Sequence, residues 1–262
     1  MKWTEEADKA VSRVPFFVRS RVRKRVEEQA KQSGSQVVTV EHVRDCQQKF
    51  LKNMDKEVKG YEVETCFGPG GCPNRAIADD DLAEELEDLL KGCDLRNFLK
   101  TRVQGPLKMH HELRVSFSDC PNACSRPQIA DIGLIGAVSP RVTEMECTRC
   151  GICRDRCREG VIELSKDSRV PRIDHIKCVS CGECVRACPT GTLAEGKKGY
   201  RLLLGGKLGR HPQLGRELKN IYSRKDAIKI FNKCLQHYIC NCTQGERFGE
   251  ILNRTGLQFV DE

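Results

Sequence analysis

Twelve of the 17 cysteines fall into groups whose spacing could do chemistry. Cys66 and Cys72 form a C-x5-C, Cys120 and Cys124 a C-x3-C, and together they offer four thiolates. Soft sulfur donors favour iron–sulfur clusters or zinc over hard cations. Zinc sites space their cysteines by two to four residues, so the five-residue gap leans towards iron. That gap is Phe67-Gly68-Pro69-Gly70-Gly71, whose glycines let backbone amides approach inorganic sulfide while Pro69 sets the turn. Two further runs follow: Cys147, Cys150, Cys153 and Cys157, then Cys178, Cys181, Cys184 and Cys188, each spaced x2, x2, x3. Eight cysteines in two matched runs point to metal chemistry instead of packing.

The paired runs resemble two-cluster bacterial ferredoxins, in which the fourth cysteine of each run serves the other cluster. The resemblance implies one [4Fe-4S] cluster on Cys147, Cys150, Cys153 and Cys188, and another on Cys178, Cys181, Cys184 and Cys157. The repeat extends to Gly151 with Gly182 and Gly160 with Gly191. Pro189 follows Cys188, whereas Arg158 follows Cys157; proline shapes the turn and is no ligand.

The C-x5-C and C-x3-C, with Asn122 and the run Ala130-Asp-Ile-Gly-Leu-Ile-Gly136, resemble the siroheme-dependent nitrite and sulfite reductases. Asp119 departs from that pattern, which places glycine there. The resemblance implies a third [4Fe-4S] cluster on Cys66, Cys72, Cys120 and Cys124, with Cys124 bridging to siroheme iron. It also implies a small oxyanion substrate, sulfite or nitrite, and an electron donor protein, either a ferredoxin or a reductase subunit. Reduced oxygen leaves as water, so cations must neutralise the oxyanion and supply protons. The candidates are Lys108, Arg114, Lys207 and Arg210, with His110 and His111 weaker. Arg114 stands where the family commonly has lysine. Asn122, Gly206, Lys207 and Arg210 are further candidates for holding the carboxylate-bearing macrocycle.

The elements that must position these residues are legible in outline. Thr4 is a plausible N-cap, Pro15 breaks or restarts the first helix, and Val18, Val22 and Val26 recur by four along a second that Ser33-Gly34 ends. Val37–Val43 opens a third segment. This first module, from Trp3 through Val14-Pro-Phe-Phe-Val-Arg19 to Gly34, resembles the small helical domain of light-independent protochlorophyllide reductase subunits. Asp79, Asp80 and Asp81 are expected to cap a helix with Leu82, Leu86 and Leu89 inward, stopped by Gly92. Leu113–Phe117 alternates like a strand leading into Cys120, Ile129–Val138 is a second apolar run, and Gly199–Pro212 starts as a strand and ends in a glycine-rich basic loop. Leu218–Tyr238 reads as one or two closing helices. The expected fold is α+β: a small helical domain over 1–60, a nitrite/sulfite reductase-like α/β domain over 61–140 and 197–262, and an inserted two-cluster ferredoxin-like domain over 141–196.

Composition narrows the function classes. Nine Phe, four Tyr and one Trp leave much of the cohesion to metal sites. No apolar run approaches the ~20 residues that span a bilayer. The first residues, Met-Lys-Trp-Thr-Glu-Glu, have no apolar signal region. Reduced thiols on metals then fit a cytoplasmic, anaerobic setting better than disulfides do. The net charge is +8, with 14 basic against 9 acidic residues in 1–60 and 11 against 2 in 197–233. Neither stretch interleaves its cations with stacking aromatics, which argues against nucleic acid. Cys46, Cys93, Cys234, Cys240 and Cys242 lack a partner motif and read as core or bystander thiols, although the C-x-C at 240–242 could touch a cluster.

Three readings follow. The chain is a small siroheme reductase or a subunit of one, an electron-transfer protein that kept the cluster without siroheme, or an accessory subunit of another tetrapyrrole or methanogenic-type reductase complex. Complete siroheme reductases carry a pseudo-repeated first lobe, and only about sixty residues of another character precede Cys66 here. A hetero- or homo-oligomer would then complete the siroheme pocket.

Overall fold

The computed structural model describes residues 1–14, 16–79, 81–165 and 170–260, without the side chains of 16–18, 21 and 51–56. They form two units, one of residues 1–59 with 103–110, the other of 60–102 with 111–262. The sequence reading had put 103–110 in the second domain. Among the described residues no helix is long and apolar enough to cross a membrane.

In the first unit a short strand, β1 (Lys2–Trp3), pairs in parallel with β2 (Val37–Val38). Three helices surround this pair: α1 (Glu5–Ser12), α2 (Phe16–Gln32) and α3 (Val40–Glu57). Thr4 caps α1 by accepting from the Ala7 amide at 3.3 Å, which satisfies one of the orphan N–H groups of the first turn. Pro15 and the side chain of Val18 lie outside the described residues. Val26 and Ala30 are fully buried with Ala7 and Val38, and Val22 packs against them. At the end of α2, Gly34 turns to φ +76° and the Ser35 amide reaches back to the Ala30 carbonyl, a left-handed stop that suits glycine.

The second unit is built on a five-stranded sheet of β3 (Tyr61–Thr65), β4 (Leu113–Ser118), β5 (Ile132–Val142), β8 (Leu193–Leu204) and β9 (Arg216–Glu217), in that order. β3, β4 and β5 run parallel, while β8 is antiparallel to both of its neighbours. Helices α4 (Leu82–Gly92) and α5 (Leu95–Arg102) cross between β3 and β4. After β9 come α8 (Arg224–Asn241) and α9 (Phe248–Thr255). Alternation puts Leu113, Val115 and Phe117 of β4 into one core with Ile132 and Leu134 of β5 and Tyr200, Leu202 and Leu204 of β8. Leu82, Leu86 and Leu90 of α4 cover them, as do Phe231, Leu235 and Tyr238 of α8. Leu90, not Leu89, takes the third fully buried place on α4.

The acidic run before α4 behaves differently from its expected capping role. Asp81 is the N-cap residue but makes no side-chain cap bond, and Asp80 lies outside the described residues. Asp79 instead accepts from the Tyr200 hydroxyl at 2.6 Å and pairs with Arg224, so its carboxylate ties the sheet to α8. A buried phenol needs such a partner, and that need outweighs a cap bond that water could replace.

β5 and β8 leave the sheet together. Their antiparallel ladder continues from Ile132–Leu204 to Val142–Leu193, with an irregularity between Val138 and Pro140. The ribbon carries residues 143–192, slightly fewer than the segment 141–196 expected from the cysteines. That insert contains α6 (Ile152–Arg156), the short antiparallel pair β6 (Ile162–Glu163) and β7 (Arg172–Ile173), and α7 (Glu183–Arg186).

Candidate iron–sulfur and siroheme site

Cys66 follows β3 directly and Cys120 follows β4 after one residue; the strands are adjacent and parallel, so both loops open at the same end of the sheet. Loops at the carboxyl ends of parallel strands are the usual location of ligand sites in such sheets. The Cys66 amide donates to the Phe117 carbonyl at 3.0 Å, extending the ladder into the loop. Cys66 Sγ accepts from the Gly68 and Asp119 amides, both at 3.3 Å. Burial pushes the Cys120 thiol up, and the nearby thiols of Cys72, Cys124 and Cys66 push the same way. These four sulfurs thus share one neighbourhood, with Cys120 buried, Cys66 and Cys72 half-buried and Cys124 exposed. Asp119, the departure from the family pattern, is almost fully buried and holds Arg75 Nε at 2.5 Å. Its carbonyl accepts from Ala76 and Ile77, so the residue braces the chain leaving Cys72. A Cβ at Gly136 of β5 would run into that same carbonyl.

The insert repeats one backbone course twice. Arg149 and Ser180 both adopt positive φ, at 58° and 59°. So do Gly151 and Gly182, at 79° and 73°, and Gly160 and Gly191, at 63° and 70°. A non-glycine residue in this region is unusual, and its recurrence at matched places marks the two runs as copies of one turn geometry. Cys147, Cys150, Cys153 and Cys188 line one small cavity. Cys178, Cys181, Cys184 and Cys157 line another, of about 110 Å³. Cys120, Pro121, Asn122 and Asn74 form part of the wall of that second cavity. Burial, reinforced by Cys178, Cys181, Cys157 and Cys153, pushes the Cys184 thiol up to about 12. Burial also acts on Cys188, but the amides of Leu193, Thr190 and Gly191 with the Thr190 hydroxyl outweigh it and hold this thiol below its ordinary value. Crowded thiols of this kind suit a cationic cluster core, since the metal favours thiolate and amide N–H groups stabilise it. Among the described residues no group of three His, Cys, Asp or Glu converges as tightly as a single metal ion requires. The ligands of a four-iron cube stand further apart than those of one ion.

The cationic candidates scatter. Lys108 and His110 belong to the first unit, whereas Arg114, His111, Lys207 and Arg210 belong to the second. Lys207 is buried, with Nζ on Glu250 Oε1 at 2.6 Å, and this bond is the first cause holding the Glu250 carboxyl below its usual range. This pair ties the 205–215 loop to α9. Gly206 serves packing too, since a Cβ there would press on the carbonyls of Gln128 and Ala130. Arg210 lies exposed at the tip of that loop and Asn122 is exposed beside Cys124. Arg114 lines a cavity of about 340 Å³ with Arg126, Ser116, Ser125 and Leu208. There Arg114 pairs with Glu62 at 3.2 Å and Arg126 with Glu64 at 2.6 Å. The sequence reading passed over Arg126; its position two residues after Cys124 was the available signal. Of the remaining thiols, Cys234 and Cys242 are buried in the sheet–helix core, Cys46 in the first unit, and Cys93 caps α4. Cys242 Sγ donates to the Glu246 carbonyl at 3.6 Å and Cys240 is exposed, so the C-x-C pair lines neither cysteine cavity.

The family model of the nitrite and sulphite reductase 4Fe-4S domain matches residues 60–261, and that of the proto-chlorophyllide reductase 57 kD subunit matches residues 3–47. The coenzyme F420-dependent sulfite reductase of Methanocaldococcus jannaschii is 34% identical over 200 residues, which is 75% of this chain and 30% of that protein. A subunit of the anaerobic sulfite reductase of Salmonella typhimurium is 33% identical over 100 residues, 38% of this chain and 25% of its own length. The matches thus span less than a third of either curated relative. The crystal structure of dissimilatory sulfite reductase I has the same fold, with a TM-score of 0.51 at 16% identity over 85% of this chain and 57% of that one. The chain therefore belongs to the nitrite and sulphite reductase 4Fe-4S domain family.

Proposed function

We propose that this chain is an iron–sulfur oxidoreductase component that relays electrons through three [4Fe-4S] clusters to siroheme for the reduction of sulfite or nitrite. Cys66, Cys72, Cys120 and Cys124 would hold the cluster next to siroheme. Cys178, Cys181, Cys184 and Cys157 would hold the middle one, and Cys147, Cys150, Cys153 and Cys188 the outer one. The observation that carries this reading is the cavity lined by Cys157, Cys178, Cys181 and Cys184, whose wall also contains Cys120. One member of the inner set thereby lines the cavity of the middle set, which supports a direct step between them. Cys124, the exposed member of its set, suits the role of bridge to a macrocycle on the protein surface. When bound, the clusters would supply one-electron transfer and siroheme would supply the site at which the oxyanion is reduced.

The protein's own groups prepare that site. Amides of Gly68 and Asp119 fix the Cys66 thiolate, and Arg75 on Asp119 braces the loop beneath it. Arg126 and Arg114 line a cavity that also includes Ser125, the residue after Cys124, where they can neutralise anionic groups once Glu64 and Glu62 release them. Lys207 contributes rigidity through Glu250 and is not assigned a proton-donating role. A partner protein or second copy would complete the macrocycle pocket. Anaerobic iron and sulfide analysis combined with the visible spectrum tests the proposal. About thirteen irons, twelve in clusters and one in siroheme, with a chlorin-like band near the red end are expected; about twelve irons without that band would leave an electron-transfer subunit. Zinc, or cystines, at the twelve positions would overturn both.

A further inference from the structure

Asp119, which stands where the family pattern has glycine, is a buried carboxylate beside the inner thiol set. Its side chain is 1% exposed, against 17% for Arg75, its partner at 2.5 Å. Its backbone amide donates to Cys66 Sγ at 3.3 Å, and the same sulfur accepts from the Gly68 amide. A Cβ on Gly68 would lie 1.9 Å from Asp119 Oδ2, so the carboxylate sits directly against the C-x5-C loop and glycine at 68 leaves it room. The next residue, Cys120, also lines the cavity of the middle set. Arg75 lies towards that set as well: Asn74 before it lines the same cavity, and the Arg75 carbonyl accepts from Arg186 of the Cys178 half at 3.2 Å. An ion pair with one buried and one partly wet member is electrically lopsided. Water screens the guanidinium more than the carboxylate, which leaves a net negative field at the neighbouring thiolates.

We infer that Asp119 sets the reduction potential of the inner cluster, holding it below the value that its cysteines and amides alone would give. The inference rests on the proposed assignment of a [4Fe-4S] cluster to Cys66, Cys72, Cys120 and Cys124. Reduction adds one electron to that cluster and makes or breaks no bond. The added negative charge is disfavoured by a weakly screened carboxylate, since net charge and solvent exposure set the potentials of such clusters. Asp119 is thus a positioning residue that acts through the cluster and does not meet the substrate. Its amide works in the opposite sense, because a hydrogen bond to Cys66 Sγ withdraws charge from the sulfur. Only the side chain distinguishes Asp119 from glycine, so the departure from the family pattern lowers the potential and leaves the amide in place.

The test is a redox titration of the full chain isolated without oxygen, followed by low-temperature electron paramagnetic resonance. Cys72→Ala, which removes one inner ligand, identifies the inner wave as the one it alters. Asp119→Asn keeps the shape and the backbone amide but removes the charge. It should favour reduction of the inner cluster about tenfold, equivalent to a rise of 59 mV for one electron. Asp119→Gly should shift the inner wave in the same direction. The middle wave should rise by less in both variants, and the outer wave should stay in place. Asp155→Asn is the control for burial: it removes a carboxylate between Cys153 and Cys157 that is 66% exposed, and it should move no wave comparably. An unchanged inner wave in Asp119→Asn and Asp119→Gly, an equal shift of all three waves, or a comparable shift from Asp155→Asn would overturn the inference. Loss of the inner cluster from both Asp119 variants would make the residue a brace of the loop and overturn it too. Absence of the inner cluster from the wild-type chain would instead overturn the cluster assignment itself.

Discussion

The Cys147 and Cys178 halves of the insert form a controlled comparison within one molecule. Each has three cysteines spaced by two, a left-handed residue before the second, a left-handed glycine after it and a short helix. Local sequence is sufficient for that course because the turns close within ten residues. The halves differ in everything that depends on a neighbour. Gly182 faces Val138, with a Cβ there meeting Val138 Cβ at 3.1 Å, whereas a Cβ on Gly151 would meet only the tip of Arg154 at 3.4 Å. Where the first half has Asp155, the second has Arg186, whose guanidinium bonds to Arg75, Cys181 and Glu183. A duplicated motif has thus been divided into an anchored copy and an exposed one.

The largest effect expected from breaking the comparison is on cofactor content. Cys184→Ala and Cys153→Ala should each lose about a third of the iron, as read by anaerobic iron analysis. Both should stop donor-driven reduction of the cluster on Cys66, Cys72, Cys120 and Cys124, but only Cys184→Ala should leave the outer cluster's spectrum and its reduction intact. Equal behaviour of the two variants would remove the proposed order of the relay. Next in size are the glycines. Both Gly151→Ala and Gly182→Ala place a Cβ in left-handed backbone, costing about 1 kcal/mol. Gly182→Ala must also displace Val138, so its loss should reach about 2 kcal/mol in the thermal unfolding of the holoprotein. A larger loss at Gly151 would contradict the anchored-versus-exposed distinction.

Smaller still is the effect of Arg186→Ala, which removes hydrogen bonds to the sheet side and should cost about 1 kcal/mol. Its positional counterpart Asp155→Ala, which breaks only the exposed pair with Arg154, should stay within about 0.5 kcal/mol of wild type. Urea midpoints measured on the holoprotein would separate the two. Outside the insert, Glu250→Gln should destabilise by about 1 kcal/mol at neutral pH by leaving the buried Lys207 ammonium less well paired. The Glu250 carboxyl is held below its ordinary range, so the stabilisation is present above the unfolded-state value and lost as pH falls through the folded one. The difference between variant and wild type should therefore shrink in acid.

The sequence was most informative where function needs fixed spacing. The twelve patterned cysteines, the strand into Cys120, the Thr4 cap and the stop at Gly34 are all local patterns, and the family follows from the cysteine spacing together with Asn122 and the run to Gly136. Lys207 and Asp79 show where such reading gives out. Lys207 sits among glycines and arginines in sequence, and its pairing with Glu250, 43 residues later, is invisible to a local pattern. Asp79 resembled a helix cap until Tyr200 and Arg224 claimed it. Arg126 went unnoticed because its relevance comes from the cavity it shares with Arg114.

The chain by itself determined the cysteine spacing and the left-handed turns on which the proposed cluster sites rest, because both are encoded within a few residues. Tertiary structure alone decided which thiol set lies against Cys120, which half of the insert faces solvent and which cations are already neutralised. Those outcomes depend on strand pairing between β5 and β8 and on ion pairs between residues 43 to 145 positions apart. A local pattern carries no record of such distant partners, since the burial that makes them matter exists only after the chain has folded.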